Sequence, residues 1–282
     1  MATRRPTIAT RVVAGLFLAA FAAACAHLIH GKSDGTPLRV MSYNIQSGHG
    51  NLDGTVAAIH AMAPDVVALQ EVDVHWAERS NFADQATALG AGLGMHVRFA
   101  RIYQFPGGDP GGAPREFGVA LLSKYPIVSW KNDTLTRLST QEASPVPTRM
   151  PGLLEATIDV RGTAVRVFNT HLDYRSDPRV RERQIAEMVA RIGASSMPTL
   201  VFGDLNASPD APELQPLLDR LRDAWPIAGG SGFTYPANAP TKRIDYVLVS
   251  PHFHVRFASV PATEASDHRP VVVDLGLDGH AP

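Results

Sequence analysis

Short apolar runs that end in polar side chains recur along this sequence, and they limit its folds more than any other feature. The clearest lies in residues 200–209, where Leu-Val-Phe-Gly leads into Asp204 and Asn206, with Pro209 soon after. A short apolar run stopped by turn residues is typical of a buried strand, which a proline cannot extend. Because side chains alternate along a strand, Asp204 and Asn206 leave it on the same side. The segment therefore predicts a buried strand with a carboxylate and an amide at its end.

Other predicted strands carry polar residues in the same way. Segments with helical spacing separate several of them, with predicted helix starts at Asp53, Ser80 and Asp177. Strands that alternate with helices indicate an α/β fold, and ligands collect there where loops leave the strand ends. The sequence shows neither an internal repeat nor a second domain. The polar residues at the strand ends are Asn44, Glu71, His171, Asp204, Asn206, Asp245, Asp267 and His268.

Taken one at a time, these residues also have purely structural explanations. Asp204 with Asn206 could close an Asx turn, and Glu71 could form a structural salt bridge. Asn44 could be an ordinary turn residue, and His171 a hydrogen-bonded core histidine. Taken together, they form an oxygen-rich group without cysteine, which favours Mg²⁺ or Mn²⁺ over zinc. The two histidines add proton transfer or stabilisation of charge.

Composition excludes some classes of protein. A hydrophobic content of 45% and a charged content of 19% over 282 residues fit a globular core. Cys25 is the single cysteine, so an intrachain disulfide and a cysteine-based zinc site are both excluded. The net charge is −1 and no basic block stands out, which gives no electrostatic argument for tight, sequence-independent DNA binding. A nuclease with only local basic groups is still compatible with these values.

Residues 1–30 are predicted to be a signal peptide or a lipoprotein-type N-terminal segment. Arg4, Arg5 and Arg11 form a basic start, and an apolar, alanine-rich run follows over residues 12–26. Cys25 follows three alanines and loosely resembles a lipoprotein box, so lipidation, simple cleavage and an uncleaved anchor are three alternatives. We therefore expect an exported protein that is periplasmic, secreted or lipid-anchored, with membrane attachment through this segment. Residues 31–37 are predicted to be a linker.

The motifs at the strand ends resemble those of the endonuclease/exonuclease/phosphatase superfamily, which includes deoxyribonuclease-like nucleases, neutral sphingomyelinases and inositol-polyphosphate phosphatases. The resemblance implies a four-layer α/β sandwich, in which two facing mixed β-sheets are flanked by helices. It places one catalytic domain at residues 38–277. The motifs follow the order of the superfamily: Met-Ser-Tyr-Asn44, Leu-Gln-Glu71-Val, Gly118-Val-Ala-Leu-Leu-Ser, Thr-His171-Leu-Asp, Gly-Asp204-Leu-Asn206, Arg-Ile-Asp245-Tyr and Ser-Asp267-His268-Arg-Pro.

The resemblance also implies a role for each residue. Glu71 is expected to be the principal ligand of Mg²⁺, with Mn²⁺ as an alternative, and Asp245 is expected to hydrogen-bond His268 and orient its ring. Either Asp204 or His268 is the base that activates water. The remaining expectations are that Asn44 and Asp267 assist Glu71, that Asp204 and Asn206 orient water and phosphate or hold a second metal, and that His171 contacts the phosphate or the leaving oxygen.

Two arginines lie in segments that are rich in glycine and proline and are predicted to be loops, Arg115 in residues 104–115 and Arg149 in residues 139–152. Each could be a plain surface residue. Each could also hold a substrate phosphate through a bidentate contact.

The predicted function is an exported, Mg²⁺-dependent phosphoesterase that hydrolyses a phosphodiester or phosphomonoester bond by metal-assisted attack of water. Its partner is a phosphate-ester substrate, and the sequence indicates no obligate protein partner. Nucleic acid, a phospholipid head group and a small organic phosphate are the three substrate classes. Abasic-site endonucleases of the superfamily tend to carry Tyr where this chain has His171, which favours the deoxyribonuclease-like and lipid-cleaving branches. A non-catalytic binding module on the same fold is the remaining alternative.

Overall fold

A computed structural model describes residue 1 and residues 35–108, 111–194 and 196–279. The segment predicted to direct export, including Cys25, and most of the predicted linker lie outside the described residues. The first strand begins at Thr36, within the segment predicted to be the linker. Among the described helices, none has both the length and the apolar character needed to cross a membrane.

Twelve strands in the described part of the chain form two mixed sheets of six strands each. The first sheet has the strand order β11-β12-β1-β2-β4-β3, and only β1 and β2 pair in parallel. Its strands are β1 (Thr36–Asn44), β2 (Val66–Val74), β3 (His96–Phe105), β4 (Arg115–Ser123), β11 (Phe253–Ser259) and β12 (Val271–Leu277).

The second sheet repeats this arrangement with the order β5-β6-β7-β8-β10-β9, in which only β7 and β8 are parallel. Each sheet thus has one parallel pair at its centre with antiparallel strands on both sides. The strands are β5 (Ile127–Arg137), β6 (Thr148–Val160), β7 (Thr163–His171), β8 (Thr199–Asp204), β9 (Arg222–Asp223) and β10 (Asp245–Val249).

Helices cover the outer faces of the sheets, and alternation along the strands separates the layers. In β8, Leu200 and Phe202 belong to the core between the sheets, whereas Val201 packs with Ile185 and Met188 on the outer face. The helices are α1 (Leu52–Met62), α2 (Gln85–Leu93), α3 (Arg179–Ile192) and α4 (Gln215–Leu218). A third cluster joins the first sheet to α1 and α2. The predicted four-layer α/β sandwich is confirmed.

The predicted starts of the first two helices are wrong, and the structure shows why. The amino end of α1 is capped by Asn51, whose Oδ1 accepts a 3.0 Å hydrogen bond from the Gly54 amide, rather than by Asp53. Asp84 caps α2, whereas Ser80 lies in an earlier 3-10 turn. Asn and Asp are both good caps, so neighbouring candidates in the sequence cannot be ranked without the tertiary packing.

Candidate active site

The carboxyl ends of the two parallel strand pairs meet at one edge of the sandwich. β1 ends at Asn44 and β2 carries Glu71 near its end, whereas β7 ends at His171 and β8 at Asp204. Strands in a parallel pair end on the same side, so each sheet contributes two polar side chains to this edge. His171 and Asp204 are direct neighbours in the register of β7 and β8.

Asn44 joins the two sheets at this edge. Its side chain is fully buried, and Nδ2 donates to Oε1 of Glu71 at 3.0 Å and to Oδ2 of Asp204 at 3.1 Å. Its Oδ1 accepts a 3.0 Å hydrogen bond from the amide of Gln46. The Asn44 amide therefore fixes the distance between a carboxylate of the first sheet and a carboxylate of the second.

Glu71 reaches the site because β2 contains a β-bulge. The pairing of β2 with β4 shifts by one residue between Leu69 and Val72, and Glu71 adopts a φ of +56°. Leu69 and Val72 both pack in the outer core, which an unbroken strand with period two does not allow for residues three apart. Bulges re-aim side chains and are common beside active sites. This one releases Glu71 from the outer face.

Asp204 lies between two imidazoles and is almost fully buried. Its Oδ2 is 3.5 Å from Nε2 of His171 and 3.7 Å from Nε2 of His268. Burial raises the pKa of Asp204 to about 6, with help from the negative charge of Asp245, although both imidazoles and the Asn44 hydrogen bond oppose the shift. Nδ1 of His171 also lies 4.0 Å from Oε1 of Glu71.

The predicted pairing of Asp245 with His268 is confirmed. Nδ1 of His268 lies 2.9 Å from Oδ2 of Asp245, and both side chains are buried. Thr234 Oγ1 donates to the same carboxylate oxygen at 2.5 Å. The arginines that could have competed have other partners, since Arg243 pairs with Asp223 at 2.7 Å and Arg269 Nε donates to a backbone carbonyl.

The surroundings of His268 favour its charged form. Burial alone would lower its pKa, but the carboxylates of Asp245, Asp204 and Asp267 outweigh burial and raise the pKa to about 10. The ring of Tyr235 packs against the imidazole with 4.8 Å between ring centroids. With Nδ1 engaged by Asp245, Nε2 is the ring atom that faces Asp204.

Asp267 stands beside this group on the segment that leads into β12. Burial raises its pKa, and the negative charge of Glu71 adds to the shift while His268 opposes it. The neighbouring Ser266 donates from Oγ to the Asn44 carbonyl at 2.7 Å and accepts from the His268 amide at 3.1 Å. Ser266 thereby attaches the Asp267–His268 segment to the end of β1.

A model of the Endonuclease/Exonuclease/phosphatase family matches residues 41–268, which include each of the polar residues above. The protein belongs to this family. The membership predicted from the motifs is therefore confirmed. Members of the family are hydrolases that act on phosphoester bonds, and they are typically dependent on divalent metal ions.

Solved structures share the fold over most of their length. The endonuclease/exonuclease/phosphatase from Beutenbergia cavernae DSM 12333 is 27% identical, with a TM-score of 0.67, and the match covers 86% of this chain and 72% of that one. The human nocturnin catalytic domain with bound sulfate is 21% identical, with a TM-score of 0.67 and coverages of 86% and 94%. A mannosyl-6-phosphatase from Bacteroides thetaiotaomicron VPI-5482 is 19% identical, with a TM-score of 0.65 and coverages of 84% and 99%. The comparison with curated proteins found no match.

The donor groups at this family site fit a hard divalent cation. Asp204, Asp245 and His268 form a buried group whose candidate ligand atoms lie within 4.8 Å of one another. Glu71 and Asp267 add two carboxylates whose negative charges repel each other, and this repulsion would fall if a cation lay between them. Carboxylate and amide oxygens are the ligands that Mg²⁺ and Mn²⁺ prefer. Because Asp245 and His268 already bond each other, the Glu71–Asp267 side is the better candidate for the cation.

Asn206 follows Asp204 and ties two loops together. It adopts a φ of +50°, its amide donates to Oδ1 of Asp204 at 3.0 Å, and Nδ2 donates to the Leu172 carbonyl at 3.1 Å. The side chain thus anchors the loop after β8 to the loop after β7, directly beside His171. In this conformation Asn206 orients Asp204 through the backbone.

The structure does not bring the two predicted phosphate-binding arginines to this group. Arg149 lies inside β6 rather than in a loop, and Nη1 pairs with Oε1 of Glu187 on α3 at 2.6 Å. Arg115 begins β4, where Nε donates to the Pro106 carbonyl at 3.2 Å and the guanidinium lies over Phe105. The prediction that Arg149 lies in a loop was wrong. Pro145 and Pro147 precede β6, and Pro151 lies where the pairing of β6 with β5 shifts, so none of these prolines interrupts the strand.

Two buried polar residues behind the site were not predicted. Gln70 Nε2 donates to Oδ1 of Asn169 at 2.8 Å, and Asn169 Nδ2 donates to the carbonyls of Leu69 and Ala120 at 2.9 Å each. Asn169 lies on β7, so this network crosses from the second sheet to the first at the bulge of β2. The available signal was the alternation along β7, in which Asn169 continues the inward-facing positions of Val165 and Val167.

Proposed function

We propose that the protein is an exported, Mg²⁺-dependent phosphoesterase that hydrolyses a phosphomonoester or phosphodiester by attack of water. The observation that carries this proposal is the meeting of two groups across Asn44. One group offers the carboxylates of Glu71 and Asp267, and the other is the hydrogen-bonded set of Asp204, Asp245 and His268. A cation site beside a positioned acid–base group is what phosphoester hydrolysis requires.

Glu71 and Asp267 would hold the cation, and Asn44 contacts Glu71 through Nδ2. When bound, Mg²⁺ or Mn²⁺ would supply positive charge that polarises the phosphoryl group and stabilises the charge that develops on it. The Asn44 oxygen would reach that cation only if the side-chain amide turned over, because Nδ2 faces Glu71 here and Oδ1 accepts from the Gln46 amide. The bulge that turns Glu71 toward Asn44 supports this role.

The remaining residues would handle the proton and the phosphate. Asp245 accepts the Nδ1 hydrogen of His268, which leaves Nε2 directed at the phosphate and at Asp204. A charged His268 would stabilise the phosphoryl oxygens, while Asp204 is the better acceptor for a proton from water because burial raises its pKa to about 6. His171, on the opposite side of Asp204, would contact the phosphate or the leaving oxygen.

Export rests on the sequence of residues 1–30, with their basic start and alanine-rich apolar run. We propose that this segment either is removed or attaches the protein to the membrane, through Cys25 or as an uncleaved anchor. The enzyme would then act at the cell envelope or outside the cell.

A substrate panel with and without Mg²⁺ tests the proposed reaction. Bis-p-nitrophenyl phosphate, p-nitrophenyl phosphate, DNA, sphingomyelin vesicles and inositol phosphates are incubated with purified protein in Mg²⁺, in Mn²⁺ and in excess EDTA. We expect turnover of at least one ester with either metal and none in EDTA. Full activity in EDTA would contradict the metal role, and binding without turnover across the panel would instead favour a non-catalytic module.

A further inference from the structure

A cavity of about 260 Å³ opens beside the proposed phosphoester site. Glu71 and His171 form part of its wall, so a group bound in the cavity lies next to the phosphate position. The rest of the wall comes from both sheets and from the segments that follow β5 and β7. None of these other residues has a role in the reaction proposed above.

One wall of the cavity is aromatic. Trp76 lies 6.2 Å from Tyr103 and 5.7 Å from Phe117 between ring centroids, and Tyr103 and Phe117 stack at 6.2 Å. Trp76 and Phe117 are only partly buried, although they pack against the core between the sheets. The partial exposure leaves ring surface that faces the cavity.

A polar segment adjoins the aromatic wall at Tyr103. The Tyr103 hydroxyl accepts hydrogen bonds from the amide and Oγ1 of Thr140, at 2.8 and 3.1 Å. These contacts hold Thr140 and Gln141 against the cavity, where both residues line it. A ligand ring stacked on the aromatic wall would meet hydrogen-bonding groups at its edge.

Charged side chains of both signs line the cavity, the carboxylates of Glu71 and Asp173 and the guanidinium groups of Arg79 and Arg137. Arg137 is buried in its wall, and its guanidinium makes four hydrogen bonds, all to neutral oxygens of Pro151, Gly152, Thr170 and His171. Burial without a contacting carboxylate lowers the pKa of Arg137 to about 10. The guanidinium of Arg79 lies 5.7 Å from the centroid of Phe117, where a bound cation would otherwise stack. Arg79 is paired with Asp73 at 2.9 Å, so what it denies a quaternary ammonium head group is the ring face of Phe117 that it already covers.

The size of the cavity limits the ligand further. A volume of about 260 Å³ is near the lower end of small-molecule pockets, which run from about 300 to 1,000 Å³. This volume holds about one ring with its substituents, so further stacked bases or an acyl chain would have to lie outside the cavity.

We propose that this cavity binds the neutral ring of a small phosphate ester, a nucleoside or a sugar, while the phosphate lies at Glu71 and His171. The inference rests on the proposed function, because it assigns the substrate class of the same site. Base rings stack on aromatic side chains through their faces, and a sugar ring can lie on the same wall through its C–H face. Both kinds of ligand share a flat face and a polar edge, and the cavity offers a partner for each.

The test compares kcat/KM for esters that differ in the group attached to phosphate. The substrates are a nucleoside 5′-monophosphate, a hexose 6-phosphate, glycerol 3-phosphate and phosphocholine, each with Mg²⁺. We expect wild-type enzyme to prefer one of the two ring esters by about 10-fold or more over glycerol 3-phosphate and phosphocholine. Which ring ester is preferred distinguishes a nucleoside from a sugar.

Substitution of the aromatic wall tests the same assignment from the side of the protein. Trp76→Ala should lower kcat/KM for the preferred ring ester by about 10-fold, in line with the loss of one stacking contact, and change glycerol 3-phosphate less than 2-fold. Trp130→Ala is the matched control, because Trp130 is an exposed tryptophan on β5 and not part of the cavity wall. It should leave every substrate unchanged. Gln141→Ala, at an exposed position, provides a second variant with little risk to folding and should also act on the ring ester alone.

Several results would overturn the assignment. Phosphocholine, DNA or sphingomyelin as the best substrate would contradict it, as would an equal loss on ring and ringless esters in folded Trp76→Ala and Gln141→Ala. In each of these cases metal-dependent hydrolysis continues, so the proposed function stands and only the cavity assignment fails. Absence of metal-dependent turnover on all esters would instead contradict the proposed function.

Discussion

At the scale of single residues, the site is a chain of contacts in which each polar atom restrains the next. Thr234 and His268 share one oxygen of Asp245, and the free ring nitrogen of His268 faces Asp204. Asp204 is in turn held by Asn44 and by the backbone of Asn206. Residues that act through one another lose activity as a unit, so their losses are not additive.

The Asp245–His268 pair offers a direct test of this coupling. His268→Ala should lower kcat by about 10²–10⁴, as is typical when a positioned acid–base group is removed. Asp245→Asn should lower kcat too, because the ring of His268 loses its orientation and its compensating charge. The double variant should lose much less than the product of the two single losses. Circular dichroism checks the fold of each variant, and losses that multiply independently would refute the pairing.

The sequence identifies the residues of this pair, but it does not reveal how Glu71 and Arg149 are placed. Asp245 and His268 could be paired from the resemblance, because Asp245 begins β10 and His268 lies just before β12, and the fold brings the starts of these two strands to one edge. The bulge that turns Glu71 toward the site could not be predicted, because it depends on how β2 registers with β4. Arg149 was misplaced for a similar reason, since its partner Glu187 is 38 positions away, on a helix that packs against β5.

At the scale of secondary-structure elements, the bulge in β2 is supported from the opposite sheet. Asn169 on β7 donates to the Leu69 and Ala120 carbonyls, which stand at the register shift between β2 and β4. Its oxygen accepts from Gln70, the residue before Glu71. A buried carbonyl without a donor is costly, so Asn169 stabilises the shift as well as the contact between the sheets.

Asn169→Ala should therefore destabilise the protein and disturb Glu71. The expected loss in the free energy of unfolding is about 1–3 kcal/mol, the cost of leaving buried polar groups without partners. Urea denaturation followed by tryptophan fluorescence measures it. The same variant should need more Mg²⁺ for half-maximal turnover, because the bulge that directs Glu71 is no longer held. Unchanged unfolding and an unchanged Mg²⁺ requirement would show that Asn169 does not support the bulge.

The sequence predicts where helix α3 begins better than it predicts which of its residues are exposed. Helix α3 begins as predicted after Asp177 and Pro178, since proline marks a first turn strongly. The charge of Arg181 predicts that it faces solvent, with Arg179 and Arg183, but it is buried and pairs with Glu213 at 2.8 Å. Hydrophobic periodicity identifies the face of a helix that packs on a sheet. It does not show whether a later segment, such as the one that carries Glu213, covers the polar face.

At the scale of the whole molecule, the sandwich brings two similar half-sites together. Each sheet has a parallel pair of strands at its centre, and each pair ends in two polar side chains. Asn44 joins the two pairs, because it hydrogen-bonds Glu71 of its own sheet and Asp204 of the other sheet. This arrangement followed from the order of the motifs, because their resemblance to one family fixed the fold as well as the residues. Export, in contrast, was predicted from the sequence of residues 1–30 alone.

The amino-terminal prediction is tested by the mature protein itself. Intact-mass measurement of protein from its native host should show that residues up to about Ala24 or Ala26 are missing, or that the protein is bound to membranes. Cys25→Ser, compared with wild type after labelling with a palmitate analogue, separates lipidation from simple cleavage. A soluble cytoplasmic product that still begins at Met1 would contradict export.

The most direct test of the account is the Mg²⁺ requirement of Glu71→Gln. Turnover of a phosphoester is measured against Mg²⁺ concentration for wild type, Glu71→Gln and Glu116→Gln, a control at a glutamate of similar side-chain exposure, 21% against 28% for Glu71. We predict that Glu71→Gln needs far more Mg²⁺ and loses orders of magnitude in rate, because one charged ligand becomes neutral. The control should follow wild type. An unchanged Mg²⁺ curve for folded Glu71→Gln would contradict the assignment of the metal to this site.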